Sequence, residues 1–501
     1  MPLVRPETAV VTAASVANPL ADLGVDARHV FVAGRWHGGA ASDTLPLVDP
    51  SDGSALGEIA RGDTDDIDTA VVAARAALDG DWGRGSAVER GRLLARLGSL
   101  VTEHLETLAR LEARDVGKPL GQARRDAVAL ARYCEFYAGA ADKLHGQTLP
   151  YLDGYTVMTL REPHGVTGHI VPWNYPMQII GRSVGAALCA GNAAVLKPAE
   201  EACLSALAFA ELARRAGFPP GAVNVVPGLG TEAGAALAAH PGVAHVSFTG
   251  SFETGRAVQR AAGGNAVPVT LELGGKSAQL VFDDADLDAA LPLLVGAGIQ
   301  NAGQTCSAAS RVLVQRGVLD EVRERLGERY RALRVGPAMA DHDVGPLISA
   351  RQRERVTDYL ERGADLEVIA RGERVDNAPP GGFYVVPTLF DDVSPTHVLA
   401  REEVFGPVQV IIPFDEEAEG LAIANGTDYG LVAAVWTRDG ARQLRLARAL
   451  EAGQVFVNDY GAGGGVELPF GGIGRSGHGR EKGFEALYGF TRLKTVALRH
   501  G

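Results

Sequence analysis

The chain has 501 residues, of which 46% are hydrophobic and 22% charged, and a formal net charge of -13. That length exceeds what one hydrophobic core sustains, so two or three domains are expected in a soluble globular protein. The acidic balance, with charges dispersed and no basic run, excludes a nucleic-acid footprint and electrostatic attachment to an anionic membrane.

In chain order, residues 1–30 read as a loosely ordered arm. Glu7 comes early and Pro19 late around a mild apolar run over 9–17, with no basic n-region, so no signal peptide is expected. No stretch approaches the roughly 18 apolar residues that cross a bilayer, and a cytoplasmic protein is expected. Val48-Asp49-Pro50-Ser51-Asp52-Gly53 is turn chemistry, because Pro fixes φ while Asp and Gly support a tight reversal. Asp63 and the acids after it cap a helix through Ile67, Val71, Ala74 and Leu78. Leu93, Leu97, Leu100, Val101, Leu105, Leu108 and Leu111 then recur at three- and four-residue steps, which predicts one longer helix with a core-facing stripe.

From about residue 160 the pattern changes to short apolar strands over 166–171, 193–196, 223–226 and 245–248, with helices such as 202–216 and 232–239 between them. A second series follows residue 276: strands over 278–282, 310–314, 408–413, 431–437 and 454–458, a helix from Asp286, and an Arg-rich helix over 317–333. Such alternation predicts mostly parallel sheets with helices on both faces. Ligands then bind at the carboxyl ends of the strands. The break near 272–276 reads as a domain junction.

Four cysteines occur, at 134, 189, 203 and 306, without a CxxC pair. No disulfide framework or metal site is expected, and a reducing compartment fits. Cys189 lies in an apolar run, as a structural cysteine does. Cys306 instead follows the small polar turn Gln300-Asn301-Ala302-Gly303-Gln304-Thr305, where backbone donors would stabilise a thiolate. On spacing alone it is either a nucleophile or a semi-exposed thiol.

Four more segments sit where strands end. In Val171-Pro172-Trp173-Asn174-Tyr175-Pro176 two prolines rigidify a turn around an amide, which is either satisfied locally or a preorganised oxyanion donor. Lys197-Pro198-Ala199-Glu200 is either a solvated edge or a grip on ribose hydroxyls. Phe248-Thr249-Gly250-Ser251, running on to Thr254, offers backbone N–H groups to a pyrophosphate, and so does the stretch carrying Gly230 and Gly234. Neither matches GxGxxG. In Leu271-Glu272-Leu273-Gly274-Gly275-Lys276 the acid follows an apolar strand, so Glu272 is either a general base or a buried Glu satisfied near Lys276.

As an ordered set these motifs, with Gly303-Gln304-Thr305-Cys306, Glu403-Val404-Phe405-Gly406-Pro407 and Pro469-Phe470-Gly471-Gly472, resemble the NAD(P)-dependent aldehyde dehydrogenase superfamily over nearly the whole chain. The resemblance implies an α/β fold with two Rossmann-like parallel-sheet domains and a β oligomerisation arm. It implies a NAD-binding domain over 1–142 and 164–273, a catalytic domain over 274–474, and an arm from 143–163 and 488–501 that makes a homodimer or homotetramer. It implies that Cys306 attacks an aldehyde, that Asn174 holds the oxyanion and that Glu272 activates water against the thioester. The implied cofactor site comprises Val171, Pro172, Trp173, Lys197, Ala199, Glu200, Gly230, Gly234, Phe248, Gly250, Ser251, Thr254, Leu273, Gly274, Glu403 and Phe405. A carboxylate at Glu200 accepts ribose hydroxyls and repels a 2′-phosphate, which favours NAD over NADP. The alternatives are a CoA-acylating enzyme, against which Glu272 argues, and a silent protein of the same fold.

The implied substrate residues are Tyr175, Arg182, Gln300 and Asp459. Arg182 lies where many relatives have Trp, and it is either a partner for a substrate carboxylate or a structural ion pair. Succinate-semialdehyde enzymes add an Arg where this chain has Gln300. A semialdehyde or aromatic aldehyde is the expected substrate, admitted through a roomy glycine-rich mouth over 458–467.

Overall fold

The computed structural model describes residues 20–40, 43–461 and 465–501. Among these, one sheet has eight strands, and its middle five, Val223–Val225, Ala193–Pro198, Val166–Val171, His245–Thr249 and Val269–Glu272, run parallel in that spatial order. Val166–Val171 and Ala193–Pro198 are buried at every position, as strands covered on both faces must be. The register pairs Ile170 with Lys197 and Thr249 with Glu272, so the carboxyl ends of the strands share one edge. All four polar segments therefore emerge side by side.

The chain then crosses to a seven-stranded sheet centred on Ala278–Val281, Arg311–Gln315 and Val408–Phe414. Each sheet has its own buried apolar core, one built mainly from residues 20–273 and the other from 278–470. Near its end the chain returns, and Gly477–His478 pairs antiparallel with Val269–Glu272, setting Gly477 opposite Glu272. That return carries Arg480, Glu481 and Lys482 to the first sheet. A third, three-stranded sheet joins Thr148–Leu149, Tyr155–Pro163 and Thr491–Arg499, with the last two paired along nine residues from Pro163↔Thr491 to Tyr155↔Arg499.

Asp63 caps the Thr64–Asp79 helix in a reciprocal capping box with Asp66. The leucine stripe does not form one helix. It is broken at His104 (φ -102°, ψ 20°) into Ala87–Glu103 and Leu105–Val116, while Leu97, Leu108 and Leu111 still face the core. Residues 1–19 lie outside the described residues, and 20–30 are not a loose arm. Leu20, Leu23, Val25 and Val30 are buried, and His29–Val32 pairs into the first sheet beside Val223–Val225. The helix expected over 232–239 begins as a wide turn, Gly230–Gly234, before Ala235–Ala239.

Candidate active site

Two clefts meet at Cys306. One, of about 430 Å³, is lined by Tyr175, Arg182, Gln300, Phe470 and Lys482 among others. The other, of about 500 Å³, is lined by Trp173, Ser251, Glu272, Gly274, Glu403 and Phe405 among others. Asn174, Thr249 and Cys306 line both.

The turn before Cys306 is left-handed at three successive residues, Asn301 (φ 49°), Ala302 (φ 54°) and Gly303 (φ 72°). Such backbone costs roughly 1–2 kcal/mol per non-glycine residue, so its surroundings must enforce it. Gln304, fully buried, does so by donating from Nε2 to the Asn301 carbonyl (3.0 Å) and accepting the Ile348 N–H (3.0 Å). Tyr460 donates its hydroxyl to the Ser307 carbonyl on the far side.

Asn174 follows Val166–Val171 and sits just before the Pro176–Ala190 helix. Its Nδ2 donates to the Gln304 carbonyl (3.0 Å), and its own carbonyl accepts from Asn301 Nδ2 (2.9 Å). One of its two amide N–H groups is thus spent on orienting the side chain against the cysteine turn, which leaves the other for a ligand.

Glu272 is fully buried, and neither carboxylate oxygen has a hydrogen-bond partner. Burial pushes its pKa well above the usual carboxylate range, opposed by Arg182 and reinforced by Glu481. The charges acting on it are those two with Arg480 and Lys482. Lys276 is not its partner, because the chain crosses to the second sheet after Glu272 and Lys276 ends up in the field of Arg311, Glu403 and Glu402. The glycine pair makes the crossing possible: a Cβ on Gly274 would collide with the Glu403 carboxylate, and one on Gly275 with the Cys306 carbonyl.

Cys306 is half-buried, and its thiol is pushed up to about 12 by burial, against the pull of Arg182 and with Glu272 and Glu403 adding to the rise. The thiolate stabilisation expected from the turn is therefore outweighed. Burial and two nearby carboxylates dominate the few backbone donors.

Of the other expected residues, Lys197 donates to Glu200 (2.8 Å), and Glu200 accepts the Gly230 N–H (3.4 Å), which joins two motifs far apart in sequence. Gly234 lies beside the Lys197 side chain. Ser251 caps the Phe252–Gly263 helix and accepts the Thr254 N–H. Glu403 accepts the Gly275 N–H (2.9 Å), and burial raises it to about 7. Phe405 meets Trp173 edge-on, with ring centroids 5.4 Å apart. Pro172 and Leu273 line the second cleft. Val171, Ala199 and Phe248 are buried behind these positions instead.

A dinucleotide fits these residues. The paired Glu200 carboxylate can still accept hydroxyls, the N-terminus of a 12-residue helix opens beside Gly250 and Ser251, and the unpartnered Glu272 carboxylate faces the same cleft.

On the substrate side, Arg182 is paired with the fully buried Glu481, reaches Thr249 Oγ1 (3.4 Å), and stacks over Phe470 at 4.9 Å. Glu481 keeps Arg182 charged in spite of its burial. Asp459 is exposed, accepts its neighbour's Tyr460 N–H (2.7 Å), and is absent from the cleft; Tyr460 turns inward in its place. Of the mouth over 458–467, residues 462–464 lie outside the described residues. Sequence reasoning names Thr249 only as part of the pyrophosphate motif and misses Glu481 and Lys482. Glu481 and Lys482 had one usable signal, a run of three charges, Arg480-Glu481-Lys482, held between Gly479 and Gly483.

A two-sheet α/β scaffold thus brings a cysteine, an amide donor and an unpaired buried acid to the junction of two clefts. The sequence profile of the Aldehyde dehydrogenase family matches residues 36–496. The chain is 43% identical to a hydroxyisobutyraldehyde dehydrogenase of Mycolicibacterium austroafricanum, over 94% of this chain and 93% of that one. A crystal structure described as a candidate aldehyde dehydrogenase from Burkholderia cenocepacia is 65% identical, with a TM-score of 0.94 over 94% of this chain and 100% of that one. The NAD+ complex of an aldehyde dehydrogenase from Bacillus cereus is 40% identical, with a TM-score of 0.92 over 96% and 98%. This chain belongs to the aldehyde dehydrogenase family, whose members oxidise aldehydes to acids.

Proposed function

We propose that the chain oxidises an aldehyde to its carboxylic acid with NAD and releases the product by hydrolysis. The observation that carries this reading is the junction itself: Cys306 and Asn174 line both clefts, and the unpaired Glu272 lines one of them. The Cys306 thiol gives its proton to solvent and the sulfur adds to the aldehyde carbon, whose C=O π pair moves onto the oxygen. The free Asn174 N–H and the Cys306 backbone N–H donate to the oxygen as it gains charge. Lys197, Glu200, Ser251 and Glu403 would hold NAD, which when bound would supply the two-electron acceptor for the aldehyde hydride. Glu272, with no partner to give up and a raised proton affinity, takes a proton from the water that cleaves the Cys306 thioester.

The proposed division of labour puts the cofactor on residues 1–142 and 164–273 and the nucleophile on 274–474. The arm, 143–163 with 488–501, joins copies of the chain into a dimer or tetramer. Its exposed Leu493, Leu498, Tyr151 and Leu152 support that role. Among the described residues no helix is long and apolar enough to cross a membrane; a cytoplasmic location is part of the proposal.

The substrate proposed is a semialdehyde or an aromatic aldehyde. Arg182 lines the cleft, but its charge is shared with Glu481, so a substrate carboxylate has to compete for it.

The test is NADH formation over a panel of aliphatic, aromatic, amino and carboxylated aldehydes, with Cys306→Ser as control. Turnover is expected with free acid as product. Stoichiometric acyl-CoA in the presence of CoA would replace hydrolysis by acyl transfer. Equal efficiency with NADP would remove the argument from Glu200, and a monomer in sedimentation the argument from the arm.

A further inference from the structure

Beneath the Asn174 turn lies a polar cluster that the reaction does not use directly. Lys118, fully buried, donates to Glu112 Oε1 (2.6 Å) and to Asp126 Oδ2 (2.5 Å), and it sits 4.2 Å from the centre of the Tyr175 ring. The remaining carboxylate oxygens grip the start of the helix that follows Asn174. Glu112 Oε2 accepts the Met177 N–H (3.2 Å), and Asp126 Oδ1 accepts from Gln178 Nε2 (2.6 Å). Every charge in the cluster is therefore spent on another group, and three of those groups, Tyr175, Met177 and Gln178, flank the donor turn.

Gln122, four residues before Asp126 on the Leu120–Ala140 helix, extends the cluster to the nucleophile. Its Nε2 donates to the Tyr175 hydroxyl (2.9 Å), and its Oε1 accepts the Asn301 N–H (2.9 Å). Asn301 in turn holds the Asn174 carbonyl, and Asn174 holds Gln304. One buried side chain thus bonds both the donor turn and the left-handed turn that carries Cys306.

We propose that Gln122, anchored on the Glu112–Lys118–Asp126 ion triad, is a positioning residue that sets the Asn174 amide against Cys306. The inference rests on the assignment of Asn174 as oxyanion donor. Gln122 lines the cleft that holds Arg182 and Gln300 and is absent from the cleft lined by Glu403 and Phe405. A small shift between the two turns therefore spoils alignment in the transition state, and the effect falls on kcat, with the KM for NAD retained.

The test is a double-mutant cycle on the full-length enzyme with a small aliphatic aldehyde and saturating NAD. Gln122→Met is expected to lower kcat about 10- to 100-fold with the KM for NAD unchanged. In an Asn174→Ala background the same change is expected to cost less than about twofold, because the group it positions is gone. Equal losses in both backgrounds, or no loss in the first, would overturn the proposal, since a merely structural residue weakens both enzymes alike. Tyr175→Phe, which removes only the hydroxyl that Gln122 grips, is the second variant and should show the same non-additivity with a smaller loss; additive losses would overturn it. A crystal structure of Gln122→Met gives a readout without turnover: a displaced Asn174 amide supports the proposal, and an unmoved one defeats it. If Asn174→Ala alone leaves kcat intact, the functional reading of Asn174 fails, and this inference with it.

Discussion

Glu272 and Glu112 are the same residue type, both are fully buried, and burial pushes both above the usual carboxylate range. Their partners differ completely. Glu112 is saturated by an ammonium and a backbone N–H, whereas neither oxygen of Glu272 has a hydrogen-bond partner. A buried carboxylate left unsatisfied costs stability unless a ligand or a reaction uses it. The contrast separates a site kept open for chemistry from one closed for support, although burial alone gives the same reading at both.

Removing the proposed nucleophile gives the control for the open site. Cys306→Ser is expected to lower turnover by about 10⁴-fold or more, read as NADH formation, with thermal stability retained. Glu272→Gln comes next. Steady-state turnover should fall about 10²- to 10⁴-fold, while a rapid-mixing experiment still records close to one NADH per active site. Loss of that burst would place Glu272 before hydride transfer and blur the contrast.

Lys118→Met breaks the closed site. It strands two buried carboxylates, so stability should drop by about 3–5 kcal/mol in denaturant unfolding, with at least part of the loss recovered by neutralising Glu112 as well. A drop under about 1 kcal/mol would mean that the triad carries no more than a surface pair does.

A smaller effect concerns His169 and His245, both buried beside Phe490 at the base of the arm. Burial drives His169 down to about 3 and His245 well below its usual 6.5. The unfolded chain then binds more protons than the folded one below pH 6.5. Stability from these groups is complete above that pH and declines as pH falls below it, down to about 3 for His169. Replacing either histidine with Gln should flatten the acid limb of the stability curve measured by thermal unfolding.

Most of the parallel strands were legible because a strand covered on both faces has to be an unbroken apolar run, as 166–171 and 193–198 are. The break at His104 was not, since the leucine period passes through it unchanged and backbone geometry alone marks it. The strand at 29–32, second from the sheet's edge, is hidden by its neighbour, because residues 1–19 carry no periodic signal. Cys306, Asn174 and the residues on the cofactor side are short local motifs, fixed by the need for turns, caps and close backbone approach, and such needs are written in adjacent residues. Arg182 was visible as a charge in an apolar helix, but its partner lies 299 positions away at Glu481.

By itself the sequence determined the α/β class, the resemblance to aldehyde dehydrogenases and the candidates for the reacting groups, because each depends on local periodicity or on a contiguous motif. Tertiary structure decided which buried charges are paired. It gave Arg182 to Glu481, moved Lys276 away from Glu272, assembled the Glu112–Lys118–Asp126 triad, and turned Asp459 out of the cleft. Pairing depends on which strand ends and helix starts the fold brings together, and no spacing along the chain encodes that distance.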